Sequence, residues 1–171
     1  MPPDGYRERY ANLLDKQYFN FAAAHFLVFA NGEREPLHGH NYRAELELET
    51  DGLDAAALVA DFIQVKPLFK QACDRLDHKV LMPGRCPVVR LERKDGQVHA
   101  LWKDDRFSFP EADVVVLDVE NTSSERIAFV LCEDWLTHVR VALPELKLRR
   151  VKVLVSESPG QSASYEREWG A

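Results

Sequence analysis

The sequence predicts an α+β fold, with strands paired mainly through hairpins and two helices on one face. Three observations carry that reading. From His40 onward Tyr42, Ala44, Leu46 and Leu48 alternate with Arg43, Glu45, Glu47 and Glu49, which is the period of a half-buried strand with one wet face. Two later stretches repeat apolar residues every third or fourth position, the stripe of an amphipathic helix. Asp95-Gly96 stands between two alternating runs, a strong two-residue hairpin signal.

Taken in order, residues 17–29 carry aromatic and apolar side chains and read as the first strand. A polar loop with Gly32 and Pro36 follows. The alternating strand then runs to Asp51-Gly52. Phe62, Val65, Phe69, Ala72 and Leu76 line one face of the first helix. Pro67 is expected in its first turn, where the missing N–H costs little. Residues 88–94 and 97–103 form the hairpin. Residues 114–119, with three successive valines, read as a strand apolar on both faces. Thr122 and Glu125 have the spacing of a capping box and open a second helix, striped by Ile127, Leu131 and Trp135 and stopped by Pro144. Residues 148–157 and 161–169 close the chain as two strands joined at Pro159-Gly160. No repeat or linker interrupts residues 1–171, which are expected to form a single domain with 88–110 as an inserted hairpin region.

Composition narrows the function. The chain has 171 residues, 46% hydrophobic and 29% charged, with 22 basic against 28 acidic residues for a net charge of −6. That balance disfavours nucleic acid as the partner, which calls for clustered Lys and Arg. Lys147, Arg149, Arg150 and Lys152 interleave with Leu148 and Val151 and read as the solvated side of a strand. No apolar stretch is long enough to span a bilayer. The start, Met1-Pro2-Pro3-Asp4, lacks the basic and apolar regions of a secretory leader, so the expected location is cytoplasmic. Cys73, Cys86 and Cys132 are odd in number and irregularly spaced, which suits neither a disulfide framework nor a zinc knuckle.

Histidine must therefore supply any metal site. His38 and His40, two apart on a strand, project to one face, the face of Ala44, Leu46 and Leu48. Gly39 between them permits close backbone approach. His25 lies on the preceding strand, within reach across the loop, with no evident polar partner there. Three neutral imidazoles with an open position describe a catalytic Zn2+. The alternative is three unrelated histidines, one of them a packed core residue. Asp77-His78, after the first helix, is either a carboxylate orienting an imidazole or a charged helix end. Glu157 shares the parity of Val151, Val153 and Val155. It is either a carboxylate facing the covered surface, suited to a ligand with two adjacent N–H donors, or a frayed strand end.

Phe21-Ala22-Ala23-Ala24-His25, His38-Gly39-His40-Asn41-Tyr42, Leu76-Asp77-His78, Asn121-Thr122-Ser123-Ser124-Glu125 and Val155-Ser156-Glu157 stand in an order that resembles the 6-pyruvoyltetrahydropterin synthase / 6-carboxytetrahydropterin synthase family. The resemblance implies the tunnelling fold: a four-stranded antiparallel sheet backed by two helices, three subunits closing a barrel and two trimers stacking into a homo-hexamer. It implies zinc on His25, His38 and His40, with Asp77 and His78 as a charge-relay pair. Glu157 would anchor the pterin, and Ser123, Ser124 and Glu125 would line its pocket. Family members making pyruvoyl- or carboxy-tetrahydropterin carry a cysteine four residues before His-Gly-His, where this chain has Arg34. Glu35 follows it. Glu-x-x-His-Gly-His resembles the branch with glutamate in place of that cysteine, and Glu35 is the expected base. The expected function is a zinc-dependent lyase acting on the side chain of 7,8-dihydroneopterin or its triphosphate and giving 6-hydroxymethyl-7,8-dihydropterin. The alternatives are 6-carboxytetrahydropterin or 6-pyruvoyltetrahydropterin synthase activity, or a non-catalytic pterin-binding homologue.

Overall fold

The computed structural model describes residues 8–170. The start Met1-Pro2-Pro3-Asp4, read above as lacking a leader, lies outside them. In chain order the elements are β1 (Tyr10–Leu14), β2 (Asn20–His25), β3 (His38–Thr50), α1 (Phe62–Asp74), β4 (Lys79–Pro83), β5 (Arg90–Lys94), β6 (Gln97–Trp102), β7 (Asp105–Pro110), a 3-10 turn at Glu111–Asp113, β8 (Val114–Leu117), α2 (Ser124–Ala142), β9 (Arg150–Ser158) and β10 (Gln161–Glu168). No helix among the described residues is long and apolar enough to cross a membrane.

β3 organises the sheet. It pairs antiparallel with β9 on one side; on the other it pairs with β2 along its first half and with β1 along its second. β10 continues antiparallel from β9, completing the expected four-stranded set β2, β3, β9 and β10. Beyond that set, β4 adds parallel to β2, and β8 adds parallel to β4. Sequence alternation does not announce β1 or β4, because each is a five-residue run whose strand state depends on its neighbour.

Phe21, Ala23 and His25 of β2, Tyr42, Ala44, Leu46 and Leu48 of β3, and Val151, Val153 and Val155 of β9 are all buried. The apolar ones share one core with Val65, Phe69 and Ala72 of α1 and Ile127, Leu131 and Trp135 of α2. The two-residue period therefore puts both helices on the face that holds the histidines. The opposite side of β3 is less wet than its charges suggest. Glu49 is 8% exposed, clasped by Arg9, Arg149 and Arg150, and Arg150 also meets Glu47 and Glu166. The two arginines of the late basic cluster are thus taken up by ion pairs.

Three local expectations need correction. Pro67 sits in the interior of α1, not in its first turn. The carbonyl that loses its partner belongs to Ile63, which is 78% exposed, so the interruption falls on the wet face. The Thr122–Glu125 capping box does not form: Ser123 is the N-cap without a side-chain bond. The Thr122 hydroxyl instead donates to the Phe26 carbonyl at 2.9 Å, a tertiary bond that outcompetes the local one. The inserted hairpin is a three-stranded meander, because β7 pairs antiparallel with β6. Its apolar side, with Val98 and Ala100 fully covered, closes a second core around Phe26, Met82 and Cys86. Asp95 and Gly96 both take positive φ (52° and 71°), as the Asp-Gly turn requires. In β8, Val115 meets the main core while Val114 and Val116 meet the second. Both faces are apolar as expected, but the edge position leaves the three valines half-buried.

Candidate metal centre and pterin site

His25 ends β2 and pairs directly with His38 at the start of β3. That register, with the parity of His40, brings three imidazoles together. Their ring centroids are 4.8 Å (His25–His38), 5.4 Å (His25–His40) and 4.8 Å (His38–His40) apart. One nitrogen from each lies within 4.8 Å of the others. A Cβ at Gly39 would stand 3.2 Å from the Ala23 carbonyl oxygen, so a side chain there would press on the strand carrying His25.

The hydrogen bonds fix which nitrogens converge. His25 Nδ1 donates to the Thr122 carbonyl at 2.8 Å, and His38 Nδ1 donates to the Pro36 carbonyl at 2.9 Å. Each Nε2 is left with a lone pair. His38 Nε2 faces His40 Nε2 at 3.0 Å. Ligands of a tetrahedral ion bound at about 2.0–2.1 Å stand roughly 3.3 Å apart, so the three imidazoles fit a metal. His25 is 1% exposed, and burial is the main cause holding it below the usual imidazole range. It is therefore neutral, the state that ligates.

His25 is not partnerless, as its strand context suggests. The Tyr42 hydroxyl donates to its Nε2 at 3.0 Å. Burial, then the charges of Glu157 and Glu35, raise the Tyr42 phenol well above its ordinary value, so it remains a donor. Tyr42 and Thr122 are the residues that sequence reasoning missed. Tyr42 has the parity of His38 and His40, which was signal enough. The Thr122 carbonyl, 97 residues from His25 in sequence, left none.

The charges of both Glu157 and Glu35 reach Tyr42, and that of Glu157 also reaches His25. Glu35 Oε2 accepts the Leu27 N–H at 2.9 Å, and the Glu35 N–H returns a bond to the Leu27 carbonyl at 3.0 Å. Glu157, half-buried at the end of β9, accepts the Ser124 hydroxyl at 2.6 Å. Of the other predicted pocket residues, Ser123 is half-buried and Glu125 is exposed. Arg34, at the position expected of a cysteine, is engaged elsewhere, against the inserted meander. Cys73 and Cys132 lie in the main core, where burial pushes both thiols up to about 12, and Cys86 lies in the second core.

Asp77 and His78 reach the site region through backbone. Asp77 Oδ1 accepts the Ala22 N–H at 2.7 Å and the His78 N–H donates to the Ala22 carbonyl at 2.7 Å. Burial pushes the Asp77 carboxyl up, but the Ala22 bond and His78 outweigh it and hold the carboxyl below its usual value. His78 Nδ1 lies 2.9 Å from Asp77 Oδ2, its side chain 84% exposed. Its φ of 56° is left-handed, unusual for a side chain with a Cβ. Ala22, Gly39, His40, Asn41 and His78 border a cavity of about 510 Å³. Among the described residues, no hydrogen bond joins the Asp77–His78 pair to the three histidines.

Fold and site together define the class of helix-backed, mainly antiparallel sheets carrying three convergent histidines at a strand end. The model of one family, described as 6-pyruvoyl tetrahydropterin synthase, matches residues 14–168. The chain belongs to that family. Two curated archaeal relatives are provisionally named 6-carboxy-5,6,7,8-tetrahydropterin synthase. The one from Methanocaldococcus jannaschii is 27% identical over 147 residues, covering 86% of this chain and 89% of that one. The one from Pyrococcus abyssi is 31% identical over 140 residues, covering 81% and 80%. The crystal structure of 6-pyruvoyl tetrahydropterin synthase from Plasmodium vivax superposes with a TM-score of 0.86 at 29% identity, covering 95% of this chain and 99% of that one. Two further structures of the P. vivax protein carry alanine or cysteine in place of a glutamate described as a catalytic residue.

Proposed function

We propose that the protein acts on the three-carbon side chain of 7,8-dihydroneopterin triphosphate, with zinc held by His25, His38 and His40. The observation that carries this is the geometry of the imidazoles: two are tied by Nδ1 to carbonyls, so that their Nε2 lone pairs are free to converge on one ion with the third ring. A bound zinc ion would supply Lewis acidity, lowering the pKa of the substrate's side-chain hydroxyls. Glu157 would accept the paired N–H donors of the amino-pyrimidine edge while the Ser124 hydroxyl holds one of its oxygens. Ser123 and Glu125 would border the same pocket. Glu35 would take a proton from the substrate side chain through Oε1, since the Leu27 N–H occupies Oε2. Asp77 would orient His78 through Nδ1, leaving Nε2 to exchange protons. The exposure of His78 in a single chain fits a site completed by a neighbouring subunit. We therefore expect a homo-hexamer, and light scattering that reports a monomer at micromolar concentration would count against it.

The names of the relatives favour a pyruvoyl- or carboxy-tetrahydropterin product over the hydroxymethyl product that Glu-x-x-His-Gly-His alone suggests. The second reading, cleavage of the C1′–C2′ bond to 6-hydroxymethyl-7,8-dihydropterin, keeps one specific support: Glu35 is held on the loop that leads into His38, its charge reaching Tyr42, while the three cysteines lie in the two cores. Incubating zinc-loaded protein with 7,8-dihydroneopterin triphosphate and identifying the pterin product by mass decides between them. Pterin binding without product would instead identify a non-catalytic homologue.

A further inference from the structure

We infer that the inserted meander β5–β7 is a brace that positions Glu35, with Arg34 as its fastening; the inference rests on the reading of Glu35 as the base. Residues 32 to 35 are gripped in succession. The Trp102 indole N–H donates to the Gly32 carbonyl at 3.0 Å, and Lys103 Nζ pairs with Glu33 at 2.5 Å. Arg34 Nη2 donates to Asp105 at 2.5 Å, and its Nη1 donates to the Glu35 carbonyl at 2.9 Å. The Arg34 guanidinium also lies 4.6 Å from the Phe107 ring centroid, 5.1 Å from that of Trp102 and 5.8 Å from that of Phe26. Its side chain is only 15% exposed.

The other wall of the loop is equally tied down. Val28 bridges to Arg34, and the Asn121 side chain accepts the Val28 N–H at 3.1 Å and donates to the Val28 carbonyl at 2.9 Å. Glu35 thus sits between a strand end pinned by Asn121 and a loop pinned by the meander. In that frame its carboxylate meets the Leu27 N–H. A planar cation suits the fastening, because it stacks on rings through its faces while donating in its plane. Lysine offers the charge without the plane. The residue at position 34 therefore acts through Glu35; it is a positioning residue, not a catalytic one.

A double-mutant cycle on the zinc-loaded full chain, with 7,8-dihydroneopterin triphosphate as substrate, tests this. Arg34→Met keeps the stem and deletes the plane. It should lower kcat about ten- to a hundredfold, part of what a positioned base contributes, while KM moves less than about threefold and zinc content is unchanged. Arg34→Lys should not rescue it. Amide exchange at Leu27 should quicken about tenfold or more, a readout independent of turnover. In a Glu35→Gln background, Arg34→Met should change kcat less than about twofold, because the group it positions is already gone. An equal loss in both backgrounds, or full activity in Arg34→Met where Glu35→Gln is impaired, overturns the brace and leaves the base reading standing. A fully active Glu35→Gln overturns the base reading and the brace with it. Should Arg34→Met not fold, Asp105→Asn at the exposed start of β7 removes only the ion pair. It should give a smaller loss of about three- to tenfold that vanishes with Glu35→Gln; unchanged kcat and unchanged Leu27 exchange overturn the proposal.

Discussion

Tyr42→Phe separates what the metal does from what the fold does. Tyr42 is fully buried, and its ring stacks on Phe21 at 4.9 Å with an interplanar angle of 16°, a contact that phenylalanine retains. The change therefore reduces to one hydrogen bond, from the phenol to His25 Nε2 at 3.0 Å. In metal-free protein its loss leaves a buried acceptor unsatisfied, at a cost of about 1–3 kcal/mol. For a chain of this size each kcal/mol lowers Tm by about 2–4 °C, so metal-free Tyr42→Phe should melt roughly 2–12 °C below wild type. Zinc should narrow that gap, because the ion takes the same lone pair. In the wild type, binding zinc must first break the Tyr42–His25 bond, whose net worth is about 0.5–1.5 kcal/mol. Removing that competitor should tighten zinc about two- to tenfold. Melting with chelator and with excess zinc, together with a zinc titration against a competing chelator, measures both effects. Weaker zinc binding in Tyr42→Phe, or an equal Tm loss with and without zinc, would refute the competition.

Further outcomes follow from the same geometry. His38→Ala should abolish stoichiometric zinc by elemental analysis while the core is retained, and bound zinc in that variant would assign the ion elsewhere. Glu157→Gln keeps the shape but loses the charged acceptor; hydrogen bonds to a charged group are worth about 1.5–3 kcal/mol, so pterin affinity by titration should fall roughly ten- to hundredfold with zinc unchanged. Without metal, stability should depend on pH through His25: its folded pKa is lowered, chiefly by burial, so the unfolded chain takes up the proton first. Stability is then full above about pH 7 and declines as pH falls through the unfolded value of about 6.5 toward the folded one, by at most about 1.4 kcal/mol per pH unit for one proton. Melts in chelator between pH 5 and 8 should show this slope, and His25→Leu should flatten it.

Much of the fold was legible because periodicity is local. The β3 alternation, the stripes of α1 and α2 and the Asp95-Gly96 turn all appear where expected. The departures occur where a distant partner decided. Thr122 caps no helix because the Phe26 carbonyl claims its hydroxyl. β7 is a strand because β6 presents a free edge to it, and β4 because β2 does. Pro67 is tolerated mid-helix because α1 turns its interruption toward water.

By itself the sequence determined the parity that sets His38, His40 and Tyr42 on one face, the burial of that face, and the absence of any cysteine near it in the chain. Those are consequences of a two-residue repeat and need no knowledge of the rest of the chain. The tertiary structure decided what each of these side chains meets. His25 meets a carbonyl 97 residues away, Arg34 a carboxylate 71 residues away, and Glu157 a hydroxyl 33 residues away. A carbonyl, a carboxylate or a hydroxyl is equally able to bond wherever it lies in the chain. Which of them arrive is settled by how sheet, helices and meander pack as a whole, and no window of sequence contains that sum.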